Sequence, residues 1–331
     1  MEVPPLSAQQ DGCFQTRQAL AAGWTSDRLR NAEKAGSLAG LGRGVWIASA
    51  ALEGLTVRQR HRIDVRADLL RLGPGWYAAR RSAAFLTDLP LIGKDPSAPQ
   101  LLRAPRTPTD SSADPNRRIA PLPERHRGVA NGLPITRLDR IALDLAREEP
   151  LRNGLVAADA VLGLGVDPRW LDLGLTEMSR WPGTERAREV IGFADGLSES
   201  ALESISRWAF REQGLPAPEL QVEIWRGQQL LGRADFLWRE HLTVGEADGL
   251  AKYGGTDATR RAAFAAGKRR AETFADAGLQ VASWGWDDAW SGQRALADRV
   301  RRSFARGASR SLEPDVRFVA TTVADRLRRG R

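Results

Sequence analysis

The apolar positions of the first fifty residues fall into short helical groups broken by glycine. Thr16 caps a helix through Ala22, Gly23 stops it, and Thr25 or Ser26 caps a second helix over 27–35 that ends at Gly36. Strand-like pieces at 37–41 and 44–47 flank Gly42-Arg43. Two short helices meeting at a glycine turn, then a small hairpin, form a winged helix-turn-helix pattern. Its second helix is the expected DNA reader, with Arg28, Arg30, Asn31 and Lys34 as contacts and Arg43 at the wing tip. A structural helix pair with solvated charges gives the same pattern.

Residues 56–89 read as a second helical piece, and 93–118, rich in Pro, Ser, Asp and Arg, as a loop with little capacity to form a core. Thr136 caps a helix through Arg147 on which Leu138, Ile141, Ala142 and Leu145 recur at helical spacing. Further helices follow at 151–163, 168–180 and 185–194, and a boundary is expected near Gly196. The pattern then changes to helix (200–213), strands (219–225, 232–238, 243–248), helix (257–278), strand (280–284) and helix (291–305). Turns at 226–230 and 239–241 suit antiparallel hairpins, and the long helix before the fourth strand suits a right-handed parallel crossover. The expected organisation is multidomain, α+β and α/β. It comprises a winged helix at 10–50, a mainly helical middle at 51–195, an α/β unit at 197–305 and a basic tail at 306–331, with an amphipathic piece at 316–327.

Composition changes this picture little. The 331 residues are 42% hydrophobic and 27% charged, as in an ordinary globular chain. Cys13 is the single cysteine, which excludes an internal disulfide framework. No apolar run approaches the roughly 18 residues of a spanning helix, and residues 1–10 do not resemble a signal peptide, so the expected compartment is the cytoplasm, with no membrane partner. The net charge of +8 suits a polyanionic partner such as DNA, although an arginine-biased composition accounts for part of it.

The candidate chemistry lies in Gly232-Arg233-Ala234-Asp235-Phe236, followed by Glu246-Ala247-Asp248-Gly249 and Lys252. Glu246 and Asp248 alternate onto one strand face, and the reversal near 239–241 brings Asp235 beside them if its loop has two or four residues. A three-residue loop without a bulge puts Asp235 on the other face. Carboxylates facing one point suit Mg²⁺, which polarises a scissile phosphate and lowers the pKa of an attacking water. That is the plan of a restriction-type nuclease core, with Asp235, Glu246 and Asp248 as ligands and Lys252 orienting water or neutralising charge. Competing readings are plain: Asp248-Gly249 is a frequent turn dipeptide, and Glu203 closes a capping box with Ser200, or else faces the cation. Lys268, Arg269 and Arg270 are phosphate-contact candidates or a solvated helix face. His61, His126 and His241 lack ligand spacing, and no Walker-type loop occurs.

The order of motifs from Ser198-Glu199-Ser200-Ala201-Leu202-Glu203 through Gly214-Leu215-Pro216, Glu219-Leu220-Gln221-Val222, Gly232 to Trp238, Glu246 to Gly249, Lys252-Tyr253, Lys268-Arg269-Arg270 and Trp286-Asp287-Asp288 resembles the endonuclease domain related to very-short-patch-repair endonucleases, in the PD-(D/E)XK superfamily. Gly12-Cys13-Phe14, Thr16-Arg17, Ala21-Ala22-Gly23 and Gly42-Arg43-Gly44-Val45-Trp46 are similar to the winged-helix domain of AbiEi-type antitoxins, and Leu133 to Arg137 with Leu143 to Arg147 to their middle segment. The first resemblance implies a restriction-endonuclease-like fold and Mg²⁺-dependent DNA cleavage. By position it makes Asp235 the first-motif acid, Glu246 and Asp248 the second, Glu203 the upstream helix glutamate, and Lys252 a lysine frequent in the family. The second implies DNA binding and adds a nucleotidyltransferase toxin as a candidate partner. Gly245 stands where a β-branched residue would stiffen the strand, Ser283 where relatives carry arginine, and Gly267 where they carry an acid. Those departures imply the alternative, an antitoxin-like transcriptional regulator whose nuclease-like domain does not cleave; a protein-interaction module without DNA affinity is a third reading.

Overall fold

A computed structural model of the chain describes residues 3–248 and 257–329. Its contacts divide the chain into two compact units, Met1–Leu145 and Ala146–Arg331.

The first unit opens with β1 (Phe14–Gln15), α1 (Thr16–Ala21), α2 (Ser26–Lys34), β2 (Leu38–Gly40) and β3 (Val45–Ala48), whose strands form an antiparallel sheet in the order β1-β3-β2. Gln15, rather than Thr16, is the N-cap of α1, its amide donating to Gln18 Oε1 at 2.7 Å, while the Thr16 hydroxyl accepts from Trp46 Nε1 at 2.9 Å. Thr25 caps α2, accepting from the Arg28 amide at 3.1 Å. Phe14, Ala19, Trp24, Leu29 and Leu38 form the core beneath these helices.

After α3 (Val57–Leu72) the chain builds β4 (Tyr77–Ala78), α4 (Arg80–Leu86), β5 (Leu101–Arg103), β6 (Arg117–Ile119), β7 (Arg127–Ala130) and β8 (Leu133–Thr136). These strands form a five-stranded sheet, β6-β5-β4-β8-β7, where the sequence pattern predicts a mainly helical region. The stretch at 93–118 read as a loop contributes β5 and the start of β6, with Leu101 and Leu102 buried. Arg103 forks onto Asp110 at 2.6 and 2.9 Å and closes the turn between them. Helix α5 (Leu138–Glu148) reaches across the division between the units.

The second unit contains α6 (Leu151–Gly163), α7 (Pro168–Glu177), α8 (Thr184–Phe193) and α9 (Ala201–Glu212), then β9 (Glu219–Arg226), β10 (Gln229–Trp238), β11 (Thr243–Ala247), α10 (Asp257–Asp276), β12 (Gln280–Trp284), α11 (Trp286–Trp290), α12 (Gln293–Gly307), β13 (Val316–Val319) and α13 (Val323–Arg329). The sheet order is β12-β11-β10-β9-β13. Pairing is antiparallel except between β11 and β12, which α10 joins as a parallel crossover. The amphipathic piece expected in the basic tail is in part a strand: Val316 to Val319 pair with Arg226 to Glu223 on the free edge of β9. Val222, Ile224, Ala234, Leu237 and Val244 pack with Phe274 of α10. On the other side Phe210 of α9 meets Phe236, Trp238 and Trp284, ring centroids 5.2–5.6 Å apart. Such edge-to-face pairs add about 0.5–1.5 kcal/mol each beyond the area they bury. The protein is therefore a mixed α/β chain with three sheets, and among the described residues no helix is long and apolar enough to cross a membrane.

A buried ion pair ties α6 to α9 across the boundary expected near Gly196. Arg207 donates to Asp159 Oδ2 at 3.0 Å, to Ser198 Oγ at 3.1 Å and to the Phe193 carbonyl at 2.7 Å, and Asp159 Oδ1 accepts from the Asp195 amide at 2.8 Å. Removing one partner leaves the other charge buried without compensation. Asp159→Ala is expected to lower unfolding stability by roughly 3–5 kcal/mol in urea titration, well above the cost of a surface change.

Candidate functional site

The site is set by the reversal between β10 and β11. The register pairs Trp238 with Thr243, Leu237 with Val244 and Phe236 with Gly245. Four residues, 239–242, make the turn, with Leu242 in the left-handed region at φ 42°. That loop length satisfies the condition for bringing Asp235 beside Glu246, and extending the register by one pair sets the two acids opposite each other. The Ala247 amide donates to Asp235 Oδ2 at 2.9 Å, so β11 itself anchors the first carboxylate.

Glu246 is only 4% exposed. Its Oε2 accepts from Arg270 Nε at 2.9 Å and from Nη2, while Oε1 is buried and has no hydrogen-bond partner among the described residues. Burial, and after it the nearby Asp235 charge, push the carboxyl from an ordinary 4.5 up to about 7 against the pull of Arg270. Asp248 is exposed and follows the strand, its amide donating to the Trp284 carbonyl at 2.9 Å. Among the described residues no group of three or more acidic, histidine or cysteine side chains comes together to hold a metal ion. The described core of the site is thus a carboxylate pair with Asp248 at its rim. Lys252 lies outside the described residues.

Ser200 caps α9, its hydroxyl accepting from the Glu203 amide at 3.2 Å, and the Glu203 carboxylate turns back on the helix start: the Ser200 hydroxyl donates to Oε1 at 2.6 Å and the Glu199 amide to Oε2 at 2.8 Å. Gln221 Nε2 also donates to Oε2, at 2.9 Å. Gln221 falls in a motif that carries the resemblance but has no role assigned from the sequence, yet it is buried, its φ is +51°, and the flanking pairs Val222–Ala234 and Leu220–Phe236 set it opposite Asp235. The alternation of β10 changes near this point. Arg233 reaches Glu199 at 2.7 Å, Gly232 and Ala234 face Phe274 and so does Leu237, whereas Phe236 and Trp238 face Phe210.

Of the three consecutive basic residues 268–270 on α10, Lys268 and Arg269 remain exposed, Lys268 lying 3.8 Å from Glu272. Arg270 instead turns inward. Phe274, one helical turn later on the same face, is fully buried, and that spacing is the signal separating Arg270 from its neighbours. In the first unit Arg28, Arg30, Asn31 and Lys34 are exposed on α2, and Arg43 is exposed in the turn between β2 and β3. Arg28 lies 3.9 Å over the Trp24 ring and Arg30 pairs with Asp27.

No protein-family model matches the chain. Two uncharacterized proteins of Mycobacterium tuberculosis, from the CDC 1551 / Oshkosh and H37Rv strains, are each 31% identical to it over 115 residues. The match covers 34% of this chain and 42% of the length of those relatives.

Gly245 accounts for one departure from the nuclease pattern. A Cβ there would lie 2.5 Å from the Trp284 ring and 3.0 Å from that of Trp238, so the aromatic packing excludes the β-branched residue expected at this place. Gly245→Val is expected to destabilise the protein by at least ~1–3 kcal/mol in denaturant melts. Glu246 also has a pH signature. Its folded carboxyl holds a proton between about 4.5 and about 7 that the unfolded chain has released, so its contribution to stability falls as pH rises through that window. Glu246→Gln is expected to flatten that part of the stability–pH curve, with urea midpoints at successive pH values as the check.

Proposed function

We propose that the second unit is a divalent-cation-dependent nuclease domain acting on DNA, and that the helix pair and hairpin at the start of the chain are a winged helix that binds the duplex. The observation that carries the reading is the Asp235–Glu246 pair, with one oxygen of Glu246 buried and unpartnered. Mg²⁺ sites often use only one or two carboxylates and complete the shell with water and substrate phosphate, so a pair with Asp248 at its rim fits a hard cation. Asp235 and Glu246 would hold the ion, with Asp248 beside them. When bound, it would supply charge neutralisation at the phosphate and a water of lowered pKa.

The protein's own groups do the positioning. The Ala247 amide fixes the Asp235 carboxylate, and Arg270 keeps Glu246 from being a buried anion without a counter-charge. Glu203 supports the site from behind, holding the start of α9 and the Gln221 side chain in one hydrogen-bonded group. The order helix, three antiparallel strands, crossover helix and parallel strand in α9 to β12 supports the restriction-endonuclease-like reading. Exposed Arg28, Asn31, Lys34 and Arg43 support a phosphate-tracking surface, whose binding would weaken with added salt.

The second reading, an AbiEi-like regulator with a toxin partner and a nuclease-like domain that does not cut, is favoured by one observation. Arg270 occupies an oxygen of Glu246 that a cation would otherwise use. Incubation of the chain with plasmid DNA and Mg²⁺ separates the two. Nicking or linearisation is expected, and Asp235→Ala is expected to reduce it by more than the ~10–100-fold typical of outer-shell partners. Equal activity in both proteins removes the assignment of the site, and salt-sensitive promoter binding without any cleavage favours the regulator.

A further inference from the structure

Arg270 presents a combination that a permanent structural counter-ion does not require. Its side chain is 40% exposed, against 6% for that of Glu246, so one side of the guanidinium is already in water. Its Nε and Nη2 both converge on Oε2 instead of spanning the two carboxylate oxygens. That arrangement forgoes the parallel two-oxygen fork, the geometry in which an arginine–carboxylate pair is strongest. Among the described residues it leaves Oε1 without a partner, and Nη1 carries no hydrogen bond. The guanidinium therefore sits at the rim of the acidic site with donors to spare.

The placement is built into the packing. Gly232 lies under this turn of α10: a Cβ there would fall 2.9 Å from the Phe274 ring and 3.3 Å from Arg270 Cδ. The missing side chain lets the helix approach β10 closely enough for Arg270 to reach Glu246. Meanwhile Asp248, two residues after Glu246, adds a third acid where the site has use for a cation. Phosphodiester oxygens match the remaining requirement, since guanidinium forks pair with phosphate as readily as with carboxylate.

We propose that Arg270 is a displaceable positioning residue: it neutralises Glu246 in the cation-free protein and passes to a non-bridging oxygen of the DNA phosphate when a divalent cation takes its place on the carboxylate. This rests on the nuclease reading and gives its site a built-in order, in which cation and phosphate each favour the other because both draw the same ion pair apart. No covalent bond is made or broken in the exchange: a divalent cation replaces the singly charged guanidinium on Glu246, and the guanidinium charge passes to the phosphate.

The test is Mn²⁺ binding by calorimetry alongside plasmid cleavage in Mg²⁺, on the full chain and its Arg270→Gln and Arg270→Lys variants. Removing the competitor for Glu246 is expected to tighten Mn²⁺ binding about tenfold in the glutamine variant, while cleavage falls ~100-fold, the scale of losing one charge-stabilising donor. The lysine variant, with a shorter reach and no fork, is expected to move both readouts the same way by less, and it carries the test if the glutamine variant does not fold. A merely structural Arg270 would lower cleavage only in step with stability and leave Mn²⁺ affinity unchanged or weaker. A folded variant that binds Mn²⁺ like the native chain overturns the proposal however poorly it cleaves. If the native chain cleaves in an Asp235-dependent way and both Arg270 variants cleave equally well, this inference alone falls. If the native chain neither binds Mn²⁺ nor cleaves, the nuclease reading falls and this inference with it.

Discussion

Two carboxylates face each other across neighbouring strands, one of them almost dry, and much of the second unit is arranged around that cost. An ionised carboxylate taken out of water without compensation costs several kcal/mol, and a second negative charge beside it adds to the penalty. Among the described residues the compensating cation on Glu246 is Arg270, from a helix 24 residues further along the chain. It reaches the strand because Gly232 leaves room beneath it. Even so one oxygen of Glu246 stays unsatisfied, and its carboxyl remains pushed up to about 7. A fold that needed only stability would place an apolar residue there, as Val244 two positions earlier does. Retaining the acid pair at this expense is the physical reason to look for chemistry between β10 and β11.

The opposite face of the same strand answers a different demand. Phe210, Phe236, Trp238 and Trp284 fill the space between the sheet and α9, and Trp284 is pinned by its Nε1 donating to Ser206 Oγ at 2.7 Å. With two indole rings fixed over Gly245, no side chain fits there. A glycine that looks like decay when compared with a nuclease pattern is therefore the complement of a large aromatic core. Ser283 is different: it is exposed, pairs in register with Glu246, and offers its carbonyl to Arg299 at 3.0 Å. An arginine does approach that strand, but from α12 and onto the backbone.

What was legible in the sequence follows from element length and from the range of the interactions involved. Strands β9 to β12 have five to ten residues, with turn residues between them, and both their order and the crossover helix read directly from the pattern. In the first unit β4 to β8 have two to four residues each, too short for alternation to register, and β4 is adjoined by helices on both sides. They exist because distant segments pair, as Tyr77 does with Leu102, which no local window contains. The tail strand fails to show for the same reason, since Val316 to Val319 become a strand only on the exposed edge of β9. In the site, Asp235 and Glu246 were visible because a hairpin turns sequence neighbours into spatial ones. The distinct position of Arg270 among three consecutive basic residues depends on helix phase, for which the buried Phe274 was the available clue.

Gln221 connects these levels. A buried non-glycine residue at positive φ carries a cost on the order of 1–3 kcal/mol and persists only when its surroundings fix it. Here three elements do so: its side chain donates to Glu203 at the start of α9, its carbonyl accepts from Thr321 Oγ1 at 2.6 Å, and β10 pairs with its neighbours on both sides. The Thr321 contact comes from the segment read as a basic tail, so that segment completes the backbone of the site's own sheet. Because Gln221 stands opposite Asp235, its conformation falls where the sides of β10 exchange, with Ala234 facing α10 and Phe236 facing α9. In a regular strand those two residues would share a face and leave Asp235 and Leu237 together on the other. The local irregularity separates Asp235 from that simple alternation and leaves its carboxylate to be aimed by the Ala247 amide, beside the unsatisfied oxygen of Glu246.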